Sequence, residues 1–346
     1  MEPNHFIIFS IVKIFVVFSV LMTIVAYAVW VERKVSAAIQ DRRGPNRFGP
    51  FGLMQPAADA VKAFLKEDLT PAHVRKVYFW LAPAITMIPG IVVVAVLPFG
   101  SYLGHQKMVI ADLDIGILYT FGIVSLGVYG IVLAGYASNS KFPFLGGIRS
   151  SAQLISYEIA MGMSVVAVFL VTGTLNLSDV VMYQTGGLFH WLIFKQPLAF
   201  IIFAVAALAE TNRTPFDLPE AEQELAGGYN VEYSSMKFAL FFMGEYANVT
   251  AASAMMVTLF FGGWSLPFAG LDHPAGPDQW GLGVAHILIF LAKTCFILFL
   301  IIWVRWMWPR FRYDQLMDLG WRRFLPLALA NILLTAVVLG ILAMKH

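Results

Sequence analysis

Charge is scarce in this chain. Only 13% of its 346 residues are Asp, Glu, Lys or Arg, against about 25% in a soluble domain, which excludes an ordinary water-facing surface. Cysteine is nearly absent as well. The single Cys295 excludes a disulfide framework and any cysteine-ligated iron–sulfur cluster held within the chain alone, so electrons for any redox chemistry come from elsewhere. There is no P-loop, no zinc-ligand spacing and no dinucleotide fingerprint. The seven histidines are scattered, and His286, with no second His at ligand spacing, reads as a packing histidine rather than a haem or metal ligand. A net charge of +2 gives no footprint for nucleic acid.

What fills the chain is apolar sequence: 59% hydrophobic residues and a mean hydropathy of +0.74. Lipid is therefore the expected solvent, and the length divides into spans of about 20 residues rather than two soluble domains. Eight apolar runs are long enough to cross, at 14–31, 77–97, 115–137, 152–172, 191–209, 238–262, 283–304 and 324–343. Backbone groups must be satisfied internally in lipid, so the fold class is all-α: a single polytopic transmembrane domain over residues 1–346. The first run follows Met1-Glu2-Pro3-Asn4 without a basic n-region and precedes Arg33-Lys34, the pattern of a retained span rather than a removed signal peptide.

Eighteen of the 23 Lys and Arg fall in alternate connections, nine of them in residues 31–76. The positive-inside rule then places those loops in the cytoplasm or matrix and both termini outside, in the periplasm or intermembrane space. Residues 56–67 place Ala57, Val61, Phe64 and Leu65 at helical spacing, in a segment too short and too charged to span. They predict an amphipathic helix lying at the interface, with Pro56 at its first position. The Gly44-Pro45 and Gly49-Pro50 pairs before it predict an ordered turn.

Three ionisable residues fall inside expected spans: Glu158, Glu245 and Lys293. Each costs about 2.5 kcal/mol or more if charged and unpaired, which points either to helix–helix pairing or to proton handling. The fifth connection, from Glu210 to Leu225, carries Glu210, Asp217, Glu220, Glu222 and Glu224 with Arg213, interleaved with Phe216 and Leu218. A solvated loop would not need those apolar residues. Folded back into protein, like charges favour one another's protonation, so a proton-accepting cluster is expected.

In order along the chain, Glu32-Arg33-Lys34, Gly44-Pro45-Asn46, Gln55-Pro56 with Ala58-Asp59, and Lys66-Glu67 are followed by Gln153-Leu154-Ile155-Ser156-Tyr157-Glu158. Then come Glu210-Thr211-Asn212-Arg213-Thr214-Pro215-Phe216-Asp217-Leu218, Glu232-Tyr233, Gly244-Glu245-Tyr246 and Pro309-Arg310-Phe311-Arg312-Tyr313-Asp314. Together they closely resemble one family, the quinone-site membrane subunit of proton-pumping NADH:quinone oxidoreductase (respiratory complex I), which includes subunit 1 of the mitochondrial enzyme and its bacterial counterparts. Ser234-Ser235 departs from it, standing where many members have a small residue and Gly.

The resemblance implies a subunit of an NADH:ubiquinone reductase that builds part of the ubiquinone chamber and couples quinone reduction to proton pumping. It implies no covalent or metal-ligated cofactor of its own, with ubiquinone as substrate. Its partners would be hydrophilic iron–sulfur and quinone-site subunits on the cytoplasmic or matrix face, small and antiporter-like membrane subunits, and membrane lipids. Its location would be a bacterial inner membrane, or the mitochondrial one. Matched by motif, Arg33, Asp59, Phe216 and Arg305 would line or flank the quinone passage. Glu158, Glu210, Arg213, Asp217, Glu220, Glu222, Glu224, Glu232, Glu245 and Lys293 would serve proton coupling. Two other readings compete: the membrane anchor of an energy-converting hydrogenase, which shares the fold without a quinone, and a stand-alone ion-coupled transporter.

Overall fold

The computed structural model describes residues 3–218, 225–268 and 270–344. Among them helix dominates, and the only sheet is a two-stranded hairpin, β1 (Tyr102–Leu103) with β2 (Gln106–Lys107). Six stretches are long and apolar enough to cross a membrane: Ile7–Ile39, Lys76–Val96, Gly116–Ala137, Lys141–Thr172, Trp280–Met307 and Tyr313–Ala343. They contain α1 (Pro3–Ile39), α3 (Lys76–Val92), α4 (Gly116–Ala137), α5 (Lys141–Thr172), α10 (Trp280–Met307), and the pair α11 (Tyr313–Asp318) and α12 (Leu325–Ala343).

The two other expected spans take different forms. Residues 191–209 give a short turn, α7 (Leu192–Lys195), and then the 14-residue α8 (Pro197–Glu210). The break falls at Gln196, because Pro197 has no N–H to continue the first helix. α8 rises only about 21 Å. Residues 238–262 lie in α9 (Ser235–Phe260), a 26-residue helix. It is less apolar than its neighbours because it carries Glu245, Asn248, Thr250, Ser253 and Thr258. It tolerates those groups because it is buried: α9 packs against α1, α3, α8, α10, the short helix α2 (Gln55–Leu65) and α6 (Leu177–Tyr183). The polar content of α9 thus meets protein rather than lipid.

Helix contacts rely on small residues, as expected where no hydrophobic drive presses helices together and close backbone packing must do so. Gly130 of α4 is the tightest case. A Cβ there would lie 2.7 Å from the Thr86 backbone nitrogen on α3, so any side chain would force the two helices apart. The main core runs through Leu21, Val25, Tyr157, Phe203, Ala247 and Phe260, and a smaller one gathers Phe79, Tyr229, Tyr233 and Phe241.

The helix expected over residues 56–67 is present as Gln55–Leu65, with Phe64 and Leu65 exposed and no residue buried. Before it, the expected turn is ordered: Gly52 has φ +77, and a Cβ there would overlap the Pro45 carbonyl oxygen. His286 behaves as a packing residue. Its Nδ1 lies 2.7 Å from Ser101 Oγ and its Nε2 3.1 Å from the Leu271 carbonyl, with Trp264 against its ring.

Candidate functional site

α1 is continuous for 37 residues, so it carries Glu32 and Arg33 out of its apolar stretch on one rigid rod. Neighbouring residues on a helix point about 100° apart, and these two serve different places. Arg33 faces α2, donating to Asp59 Oδ2 at 2.7 Å, while Gln55 Nε2 donates to Asp59 Oδ1 at 3.0 Å. The pair stands at the mouth of a cavity of about 610 Å³ between α1, α2 and α9, walled by Val25, Ala26, Tyr233, Phe238, Phe242 and Tyr246. The mouth is charged and the interior is carbon and ring, the form of a site for an amphiphilic ligand with one polar end.

Glu32 faces inward and is 8% exposed. Its Oε2 accepts from Tyr246 Oη at 2.6 Å, and its Oε1 is paired with Arg305. Arg213 stacks its guanidinium on the Tyr246 ring, 4.3 Å from the centroid. It reaches Glu245 Oε2 at 3.2 Å and lies 4.0 Å from Glu32 Oε2. Tyr229 Oη donates to the other Glu245 oxygen at 3.0 Å. Two carboxylates and two guanidiniums therefore share one buried cluster in which each charge has an opposite neighbour, the condition under which buried ions are tolerated.

Beyond Glu245 lies a second, narrow cavity of about 70 Å³, lined by Glu158, Glu210, Glu245, Tyr229, Asn212 and Asn248. The rest of its wall is largely apolar, with Val93, Phe121, Val128 and Met161 among the lining, and its small volume with these few polar groups suits a small number of water molecules. Ser125 Oγ on α4 donates to Glu158 Oε1 at 2.6 Å. The loop after α8 is held by Gln153, whose Nε2 donates to the carbonyls of Ala209 and Phe216 at 2.7 and 2.8 Å. That one amide fixes the bend that presents Glu210 to the cavity and Arg213 to the cluster.

Asp217 is drawn to a separate partner, Arg310 Nη2 at 2.8 Å, while its Oδ1 has none. Burial pushes its carboxyl above the usual range, against the pull of Arg310 and Arg305. The segment carrying Arg310 is sewn to the same loop by Phe311 N–H to the Pro215 carbonyl at 3.0 Å.

Of the residues singled out in the sequence, the structure brings Glu158, Glu210, Arg213, Glu245 and Arg305 together, with Arg33 and Asp59 at the adjoining cavity. Others are elsewhere. Phe216 is 1% exposed, packed between Tyr157 and Phe311 rather than on the cavity wall. Glu232 lies at the protein's edge, 3.9 Å from His73. Lys293 sits beside the far end of α9, where its ammonium donates to the carbonyls of Phe261, Gly263 and Ser265 at 2.7, 3.1 and 2.6 Å. Glu220, Glu222 and Glu224 lie outside the described residues.

Sequence reasoning gave no role to Glu32, Tyr246, Tyr229, Ser125, Gln153 or Arg310. Glu32 carried a usable signal, since an acid beside Arg33 at the end of an apolar run must turn to a different face. The tyrosines carried none, because a buried Tyr looks the same in sequence whether or not its hydroxyl meets an acid.

The NADH dehydrogenase family model matches residues 12–336. The H 1 chain of NADH-quinone oxidoreductase from Cytophaga hutchinsonii is 48% identical, covering 96% of this chain and 97% of its own. Subunit 8 of NADH-quinone oxidoreductase from Rhodothermus marinus is 50% identical over 93% of this chain and 95% of its own. The H chain of the Paramagnetospirillum magneticum enzyme is 51% identical over 92% and 89%. Matched across nearly its whole length, the chain belongs to the NADH dehydrogenase family, among proteins named as subunits of NADH-quinone oxidoreductase.

Proposed function

We propose that this chain forms the membrane wall of the quinone chamber of complex I and carries the effect of quinone reduction inward to proton-pumping subunits. The observation that carries this reading is the position of Tyr246. Its ring walls the 610 Å³ cavity, its hydroxyl donates to Glu32, and its face supports Arg213, which holds Glu245 at the second cavity. One side chain thus touches the proposed chamber and the buried charge cluster at once.

Quinone accepts two electrons and two protons to become quinol, and the electrons come from an iron–sulfur partner, since a single cysteine cannot ligate a cluster here. The quinone tail lies along Val25, Phe238 and Phe242, and its head meets the polar mouth at Arg33 and Asp59. Uptake of protons changes the charge felt by Glu32. Arg213, 4.0 Å from Glu32 and 3.2 Å from Glu245, can then shift its balance between the two acids. The acids of the 70 Å³ cavity respond, and Glu158 and Glu210 continue the route.

On this reading the chain crosses eight times with both termini on the side of Lys13, in a bacterial or mitochondrial inner membrane. Hydrophilic redox subunits cover the face that carries Arg33, and ubiquinone is the substrate. In the assembled complex, changing Arg33 and Asp59 together to Ala is expected to raise the KM for a short-chain quinone about tenfold, as expected for loss of charge-assisted contacts to the head group. Full quinone reductase activity with unchanged KM would remove the chamber assignment. Copurification of the chain with flavin, iron–sulfur clusters and ubiquinone separates this reading from a hydrogenase anchor or a lone transporter.

A further inference from the structure

On the flank of α1 opposite the cavity at Arg33 runs a third cavity, an apolar groove of about 260 Å³ between α1, α9 and α10. Val16, Leu21 and Ile24 form one wall, with Ala254 and Phe290 facing them and Leu97 closing the back. Its only charged lining residue is Lys13, at one end. We propose that this groove holds one acyl chain of a phospholipid from the leaflet on Lys13's side, with the lipid phosphate on the Lys13 ammonium.

Three observations commit the groove to that occupant. The first is length: from Lys13 to Ile24 the helix rises about 16 Å, the depth of one leaflet in a hydrocarbon core of about 30 Å. The second is level. Lys13 and Arg33 are twenty residues apart on one unbroken helix, about 30 Å, so with Arg33 at one membrane surface Lys13 stands at the other, among head groups. The third is charge. Lys13 Nζ donates to the carbonyls of Lys107 and Val109 at 3.2 and 2.5 Å. Both acceptors are neutral, so the positive charge is not cancelled, and the third N–H is left for an anionic oxygen. The hairpin that supplies the Lys107 carbonyl keeps its own cation, the Lys107 ammonium, on Asp112 at 2.6 Å. A quinone tail would match the groove but not the cation.

The site is independent of the chamber and of its proposed role, and its test can fail without affecting either. The assembled complex is placed in bilayers containing phosphatidylglycerol with a diazirine at mid-chain, irradiated, and mapped by peptide mass spectrometry. Label is expected on α1 near Val16 and Leu21 and on α10 near Phe290. Unlabelled phosphatidylglycerol should displace it, whereas diacylglycerol, which lacks the phosphate, should not. Lys13→Gln should weaken the labelling about fivefold, and Ala254→Phe, which fills the groove, should abolish it. Because Ala254→Phe could block assembly, Lys13→Gln, at the surface, decides the matter alone. Labelling no denser than on the lipid-facing side of α12 at Leu333 and Leu334 would overturn the proposal. So would labelling that ignores Lys13→Gln, or that an isoprenoid quinone displaces as well as phosphatidylglycerol does.

Discussion

The two ends of the bundle bury their charges by different rules. Towards Arg33, ionised side chains pair with one another: Glu32 with Arg305, and Arg213 with Glu245 and, at longer range, Glu32. Towards Lys13, the part-exposed Lys107 still pairs with Asp112, but the more enclosed groups turn to backbone: Lys293 holds three carbonyls, Lys13 two, and Gln184 the Thr258 carbonyl and the Gly262 amide. A side-chain pair can exchange partners, whereas a carbonyl at a helix end cannot leave. The first end can therefore respond to a change of charge, and the second serves as a fixed frame.

The largest effect that would break this contrast is expected at Arg213. Arg213→Met leaves Glu245 without its guanidinium and Glu32 with Arg305 alone, and removing one partner of a buried pair costs about 3–5 kcal/mol. In assembled complex, quinone reductase activity should fall at least about tenfold, equivalent to about 1.4 kcal/mol or more, with Arg213→Lys recovering part of it. Wild-type turnover in Arg213→Met would show that the cluster is only packing.

Lys293→Met comes next and should act on the frame alone. The carbonyls of Phe261, Gly263 and Ser265 lose their donor, each at about 1–3 kcal/mol if left unsatisfied. The thermal midpoint of the complex should drop while KM and turnover per assembled complex stay at wild type. Lowered turnover at an unchanged midpoint would instead move Lys293 into the coupling route.

Why were some helices easier to read than others? Long apolar runs with cations between them marked α1, α3, α4, α5, α10 and α12, because lipid imposes the same demand on every such helix. The same signal was less informative for α8 and α9, where burial in protein relaxes both the length and the hydropathy a span requires. Acids inside apolar sequence, Glu158 and Glu245, were visible as anomalies, and the structure sets both on one cavity. Their neutral partners were not visible. Ser125 and Tyr229, like Gln153 under the loop after α8, take their roles from packing between elements distant in sequence, and a lysine within a span gives no hint whether it meets an acid or, like Lys293, a helix end.

Asp217 offers a smaller test, on the loop that presents Glu210 to the narrow cavity and Arg213 to the charge cluster. Its folded pKa lies above the 3.8 of a free Asp, so the stability it lends is fullest below that value and is lost as pH rises through the folded pKa. Once corrected for intrinsic exchange, amide protection across residues 211–218 should therefore decline as pH climbs from about 4. Asp217→Asn should flatten the profile. An unchanged slope in the variant would assign the pH dependence to another group in the loop.

The smallest effect is expected where the responsive end is anchored. Ser235, at φ +56, begins α9 and donates to the carbonyls of Ala63 and Lys66 at the end of α2, at 3.0 and 2.9 Å. Two residues on, Lys237 holds Thr70 and Asp68 at 2.8 and 3.1 Å. These bonds tie the helix carrying Asp59 to the helix carrying Glu245 and Tyr246, on opposite sides of the 610 Å³ cavity. Ser235→Ala removes part of the tie, worth about 1 kcal/mol, and keeps Lys237. A KM for short-chain quinone raised about two- to fivefold at unchanged kcat is expected, with faster proteolysis near Lys66. Lower kcat at unchanged KM would mean that α9 itself has been disturbed, and the cavity wall would then be more rigid than its hydrogen bonds suggest.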